Sequence, residues 1–137
     1  MQMRLHNGII GRIIDAVHRG DVIFIRILYG CGLLKPDDTF DLTGRNHHGY
    51  DGDSQSILHI VARDRCHNFE GLIDLMISAK VDINAIYGEG SPLDVAINYE
   101  NFPTAAYLES KGCVANSGWV NNDSHVKYNE WKINEIA

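Results

Sequence analysis

The densest set of chemically capable side chains in this sequence is His47, His48, Asp51, Asp53 and His59, all ligand types for a divalent metal. Bound metal in the His47–Asp53 loop would make the chain a metal-dependent enzyme. The spacing, however, follows no established ligand template. Asp51-x-Asp53 opens like a calcium loop but lacks the third oxygen ligand, the Gly at the sixth position and the Glu at the twelfth. Cys66 and His67 are neighbours in sequence, which does not by itself make a nucleophile and base, and a surface turn accounts for both. There is no Gly-x-Ser-x-Gly elbow, no phosphate-binding glycine loop and no protease-type cysteine signature. The expectation is therefore a protein that is not an enzyme, with no catalytic residue, no metal and no other cofactor. The metal-loop enzyme stands as the alternative.

Composition narrows the partners. The chain has 137 residues, 45% of them hydrophobic, enough for one compact unit with its own core. Its 18 acidic residues outnumber 12 basic ones, for a net charge of −6. That balance argues against nucleic acid, which selects clustered Lys and Arg, and suits a basic protein partner. No apolar run is long enough to span a membrane, and the segment Met1–Gly8 lacks a signal-type apolar block, so a cytoplasmic protein with no membrane contact is expected. Cys31, Cys66 and Cys113 are odd in number and irregular in spacing, which favours reduced thiols over a disulfide framework.

The elements that must position any site are helices. Ile10, Ile13, Ile14 and Val17 recur at i, i+3, i+4 and i+7, one face of a helix, and Gly20-Asp21 breaks it before a second apolar helix begins at Val22. Further on, Ser91 supplies an N-cap hydroxyl. Pro92 sits at the first helical position, where its missing N–H costs nothing, and Leu93 and Ala96 turn inward. A following helix carries Tyr107 and Leu108 and stops at Gly112, a residue type that tolerates the left-handed conformation.

The stretch Ser91-Pro92-Leu93-Asp94-Val95-Ala96 resembles the Thr-Pro-Leu-His-x-Ala motif of the ankyrin repeat family, with Ser for Thr and Asp94 for His. A second copy, Ser56-Ile57-Leu58-His59-Ile60-Val61-Ala62, lies 35 residues upstream in the same frame. A third, around Ala16–Asp21 and Ile27–Gly32, keeps only the helix pair. The resemblance implies an all-α fold: an ankyrin-type α-solenoid of stacked helix-turn-helix units over residues 1–116. Its repeats cover about 9–33, 54–85 and 86–116, with a long inter-repeat loop at 34–53 that is either a plain connection or a partner-contacting loop. The turn between the helices of the second repeat is about three residues too long against the family pattern. Lys80 occupies the slot of a helix-ending Gly, so that either Lys80 is left-handed or the helix ends differently. Glu109, where a second Leu is usual, is read as the mark of a terminal repeat. Residues 117–137, with Trp119, Val126, Tyr128, Trp131, Ile133 and Ile136, are read as a non-ankyrin cap over the open end of the stack, the alternative being that the tryptophans anchor a partner.

For function, the resemblance implies a protein-binding module. The finger residues it points to are Tyr50, Asp51, Asp53, Tyr87 and Glu89. The first-helix surface residues are His18, Arg19, Arg63, Asp64, Asn98 and Tyr99. His59, at the motif histidine, is expected to bond across the turn and tie adjacent repeats together. His18 is accounted for by the favourable dipole at its helix C-terminus. The size and irregular repeats resemble small microbial ankyrin proteins, which implies an immunity-type inhibitor of a basic toxin domain or, alternatively, a secreted effector or scaffold. The free chain is expected to be monomeric.

Overall fold

A computed structural model of the chain describes residues 7–41, 54–87, 89–116 and 118–136. Among them the chain forms seven helices and one pair of two-residue strands: α1 Asn7–Arg19, α2 Val22–Gly30, β1 Phe40–Asp41, β2 Ser54–Gln55, α3 Ile57–Arg63, α4 Phe69–Ser78, α5 Pro92–Asn98, α6 Phe102–Ser110 and α7 Asn122–Ile136. The fold is all-helical apart from that antiparallel pair, in which Phe40 faces Gln55 and Asp41 faces Ser54.

The helices pair and the pairs stack. α1 packs on α2, α3 on α4 and α5 on α6, while α1, α3 and α5 form one row and α2, α4 and α6 a second. α7 lies against both α5 and α6. One apolar core runs through the stack, from Ile13 and Val17 through Ile25, Leu58, Met76, Leu93 and Leu108 to Tyr128. Burying such side chains is worth roughly 1.5–3 kcal/mol each, and no single helix pair has enough of them to offset its own ordering entropy.

Local chemistry sets where each helix begins and ends. Asp21 caps α2 by accepting from the Phe24 N–H, and Ser56 caps α3 through the His59 N–H. Ser91 and Asp94 form a reciprocal capping box at α5, with Pro92 at its start. The second helix of each pair closes on a left-handed residue: Gly32 (φ 81°), Lys80 (φ 72°) and Gly112 (φ 97°). Lys80 therefore takes the strained conformation, and α4 ends as its neighbours do. Left-handed geometry costs an L-residue roughly 1–2 kcal/mol, a cost that glycine avoids.

The long turn after α3 also follows the spacing. Residues 64–68 separate α3 from α4, whereas only Gly20 and Asp21 separate α1 from α2. The extra residues lean back on the first pair, where the His67 N–H donates to the His18 carbonyl at 3.2 Å. Gly20 makes room for this contact. It has φ 71°, and a Cβ there would collide with the His67 carbonyl.

Two expectations are corrected. Leu34 and Phe40, placed by the sequence in a long polar loop, are core residues at 1% and 2% exposure. Cys66 lies in the α3–α4 turn but points into the core instead of lying on the surface, and only His67 of that pair is exposed. Glu109, read as the mark of a terminal repeat, meets among the described residues the single helix α7 and no further helix pair, accepting from the Tyr128 hydroxyl and from Lys132 Nζ, each at 3.3 Å. The charge faces a polar ring of α7 where an apolar neighbour would have required Leu.

Two glycines separate strain from crowding. Gly32→Ala, with open space around its Cβ position, should cost about 1–2 kcal/mol in urea unfolding from φ alone. Gly20→Ala adds the His67 collision and should cost more than about 3 kcal/mol. Lys80→Gly should raise stability by up to about 1 kcal/mol. Equal losses for the two alanine variants would remove the packing role assigned to the long turn.

Candidate functional site

The C-terminal ends of α1, α3 and α5 come out at one edge of the stack, and the loop leading into α5 lies beside them. Stacking thereby gathers side chains that are far apart in sequence. His18 Nε2 and Asp64 Oδ2 are 2.7 Å apart although 46 residues separate them. Arg63 donates Nε to Asp64 Oδ1 at 3.0 Å and Nη2 to Oδ2 at 3.2 Å. Tyr99 donates its hydroxyl to Glu89 Oε1 at 2.8 Å. The second oxygen of Glu89, Oε2, is shielded from solvent and has no hydrogen-bond partner among the described residues.

The electrostatics follow from these contacts. Burial alone would raise the Asp64 carboxyl, but the bonds from Arg63 and His18 outweigh it and hold Asp64 below its ordinary value. The Arg63 guanidinium is held above its ordinary range, first by the bond to Asp64, with Tyr99 and Glu89 adding to it. The Tyr99 phenol is raised by burial and by its bond to Glu89. Arg63 thus links the His18–Asp64 pair to the Glu89–Tyr99 pair in one polar row.

Beneath this row sits His59, 1% exposed. Its Nε2 is 2.9 Å from the Gly90 carbonyl, which can only accept, so Nε2 carries the proton. Nδ1 then accepts from the Ser56 hydroxyl at 2.7 Å. Burial lowers the His59 pKa below its ordinary 6.5, in keeping with this neutral ring. Tyr87 meets the same ring edge-on, with centroids 5.1 Å apart. His59 therefore anchors the loop that presents Tyr87 and Glu89. With both ring nitrogens engaged, it is not available as a metal ligand.

The remaining candidates divide. Arg19 is exposed and pairs with Asp15 and Asp21 on its own side of the first pair. Asn98 is spent internally: its Nδ2 donates to the Trp119 carbonyl at 2.8 Å and its Oδ1 accepts from the Asn121 N–H at 2.7 Å. It clamps the chain between α6 and α7. Tyr50, Asp51 and Asp53, together with His47 and His48, lie outside the described residues. Among the described residues no group of three or more His, Cys, Asp or Glu is placed to hold a metal. Burial pushes the Cys66 thiol up to about 12 and the Cys113 thiol up to about 11, the opposite of what a thiolate nucleophile requires.

Two placements were not legible in the sequence. Trp119, 43% exposed, is carried by the Asn98 clamp to the Gly90 side of the site, where its Cβ borders the Gly90 α-carbon. It joins Tyr99, 46% exposed, on an otherwise polar edge. The other is an open groove of about 520 Å³ on the turn side of the stack, between Arg65, Phe69, Phe102, Pro103 and Trp131. The Asn98 side chain was the one available signal for the clamp, since its partners are the backbone of Trp119 and Asn121, and an asparagine at a helix end has too many local uses to point to it.

No protein-family model, no curated protein and no solved structure matches the chain. No helix among the described residues is long and apolar enough to cross a membrane.

The pH dependence of stability should carry the His59 signature. As pH falls through about 6.5, the unfolded chain binds a proton at His59 that the folded protein excludes, so stability is full above that value and declines below it. Asp64 acts further down, its contribution present above the ordinary 3.8 and lost as pH falls through its lower folded value. Urea midpoints measured from pH 8 to pH 5 should fall for the wild type. His59→Gln should start about 2 kcal/mol lower at pH 8 and show a shallower decline. Parallel curves would contradict a buried neutral ring.

Proposed function

We propose that this chain is a small ankyrin-type repeat protein whose work is to bind another protein, without catalysis and without a cofactor. The helix pairs stacked in two rows, the Ser-capped first helices and the left-handed closures at Gly32, Lys80 and Gly112 are what support the ankyrin reading. The binding face is the edge formed by His18, Arg63, Asp64, Tyr87, Glu89 and Tyr99, and Trp119 extends it.

The observation that carries the proposal is Glu89. Its carboxylate is held by Tyr99 on one oxygen and, among the described residues, left shielded and without a donor on the other, on an edge that exposes Tyr99 and Trp119. A shielded acceptor without a donor costs free energy in the isolated protein, and a cationic group docking over Glu89 offsets part of that cost through the charge of the whole carboxylate. Aromatic faces around it add cation–π attraction for a Lys or Arg side chain. The net charge of −6 would steer such a basic partner during encounter. A prefolded face loses little entropy on binding, so a few anchors suffice. In its sharper form, the proposal is an immunity-type inhibitor that occludes a basic toxin domain. An effector or scaffold would use the same face on a different basic partner.

Affinity capture from the native source, with wild type and a Tyr87→Ala/Tyr99→Ala double variant as parallel baits, tests this. The wild type should retain a basic protein, and the double variant should bind it about 30-fold to 1,000-fold more weakly, the range of two aromatic anchors. Thermal unfolding of both baits confirms that the variant is folded. Equal retention by both would remove this face from the account.

A further inference from the structure

The two terminal elements of the stack carry matching exposed stripes. On α2 the exposed positions are Ile23, Arg26, Ile27 and Gly30, at i, i+3, i+4 and i+7, with Ile25 and Leu28 buried on the other side. On α7 they include Val126, Asn129, Glu130 and Ile133, again at i, i+3, i+4 and i+7, with Tyr128 buried behind them. Each stripe lies along one face of its helix. Ile23 is 70% exposed and Ile27 59%, against 54% for Val126 and 67% for Ile133. Pairs of large apolar residues this exposed on single helices are not needed for the internal core, which α2 and α7 already serve with their opposite faces.

Charge decides what fits them. Arg26 makes no ion pair among the described residues, and neither does Glu130. By contrast, the two α7 lysines nearby are engaged, Lys127 with Glu100 and Lys132 with Glu109. The α2 stripe is therefore two isoleucines around one free cation. The α7 stripe is a valine and an isoleucine around one free anion. Neither stripe complements itself, because α2 on α2 would oppose two Arg26 side chains and α7 on α7 two Glu130 side chains. Each complements the other.

We infer that the α2 stripe of one copy docks on the α7 stripe of a second copy, head to tail. Such a contact is heterologous, because α2 belongs to the first helix pair and α7 is the last element, so each docked copy leaves a free stripe at either end and the series continues unless it closes into a ring. A strip one helix wide buries less than the ~1,200 Å² of a stable complex, so the chain is single when dilute and associates with rising concentration.

Sedimentation equilibrium of the purified full chain from ~20 µM to ~1 mM tests the pairing, a range suited to weak contacts. The wild type should show an average mass that rises with concentration past that of a dimer. Arg26→Glu and Glu130→Arg should each hold the mass of one chain over most of the range, with association weakened at least ~10-fold. Their equimolar mixture should associate again, as should the R26E/E130R double variant, because the swapped charges then face each other. Melting curves of all variants establish that folding is intact, as expected for exposed positions. A wild type that keeps the mass of one chain at ~1 mM overturns the inference. So does association that survives R26E, or one that fails to return in the mixture.

Discussion

The fold depends on how the third residue of each capped first helix is tied to the loop that follows. In α3 that residue is His59, whose Nε2–H reaches forward to the Gly90 carbonyl at 2.9 Å. In α5 it is Asp94, fully buried, whose Oδ1 accepts from the Asn116 N–H at 2.6 Å while Oδ2 accepts from Ser91 N–H at 2.8 Å. The position and the task are the same, with donor and acceptor exchanged. A buried carboxylate is tolerable here because backbone amides solvate it from two directions. Losing either bond would leave an ion in the core and release the loop it holds.

Much else follows from that constraint. Gly90 must be glycine, since at φ 108° a Cβ would come within 2.6 Å of Asp94 Oδ2. The loop before α5 is pinned at both ends, and its tip closes through the Tyr87 and Gly90 backbone pair at 3.1 and 2.7 Å. Tyr87 and Glu89 are thereby presented in a fixed arrangement over His59 and beside Tyr99. Asn101 makes the equivalent tie on the turn side, its Nδ2 donating to the Ala62 carbonyl at 3.0 Å. The two edges of the stack are thus fastened by single buried side chains, and the apolar core fills the space between.

How much of this the sequence disclosed follows from which interactions are local. The Ser91-Pro92 start and the long α3–α4 turn were legible, because capping and turn length act within a few residues, whereas the bonding role of His59, whose partner Gly90 is 31 residues on, was reached only through the family resemblance. The choice at Lys80 was legible only as a choice. His18 was accounted for by its helix end, yet its ring meets Asp64, 46 residues away, and no local pattern encodes that distance. The burial of Cys66 was hidden for a similar reason, since a polar turn gave no sign of folding back onto the first pair. α7 buries only a narrow stripe, Ser124 and Tyr128 with Trp131 half-buried, so its pattern could not say that Val126 and Ile133 face outward. Of the candidate residues, His18, Arg63, Asp64, Tyr87, Glu89 and Tyr99 lie along one edge, Asn98 is a clamp, and Trp119, read from the sequence as part of a cap or as an anchor, stands beside them.

The central claim is that the face carrying Tyr87 and Glu89 is formed before any partner arrives. Amide hydrogen exchange on the free protein tests it most directly, because the loop tip is joined to the core through His59 and Gly90. On this account the Tyr87 and Gly90 amides exchange within about tenfold of the buried α3 and α5 amides, and slow together with them as one cooperative unit. Exchange of those two amides at the rate of an open loop, while α3 and α5 stay protected, would mean that the face is not preformed and would contradict the account.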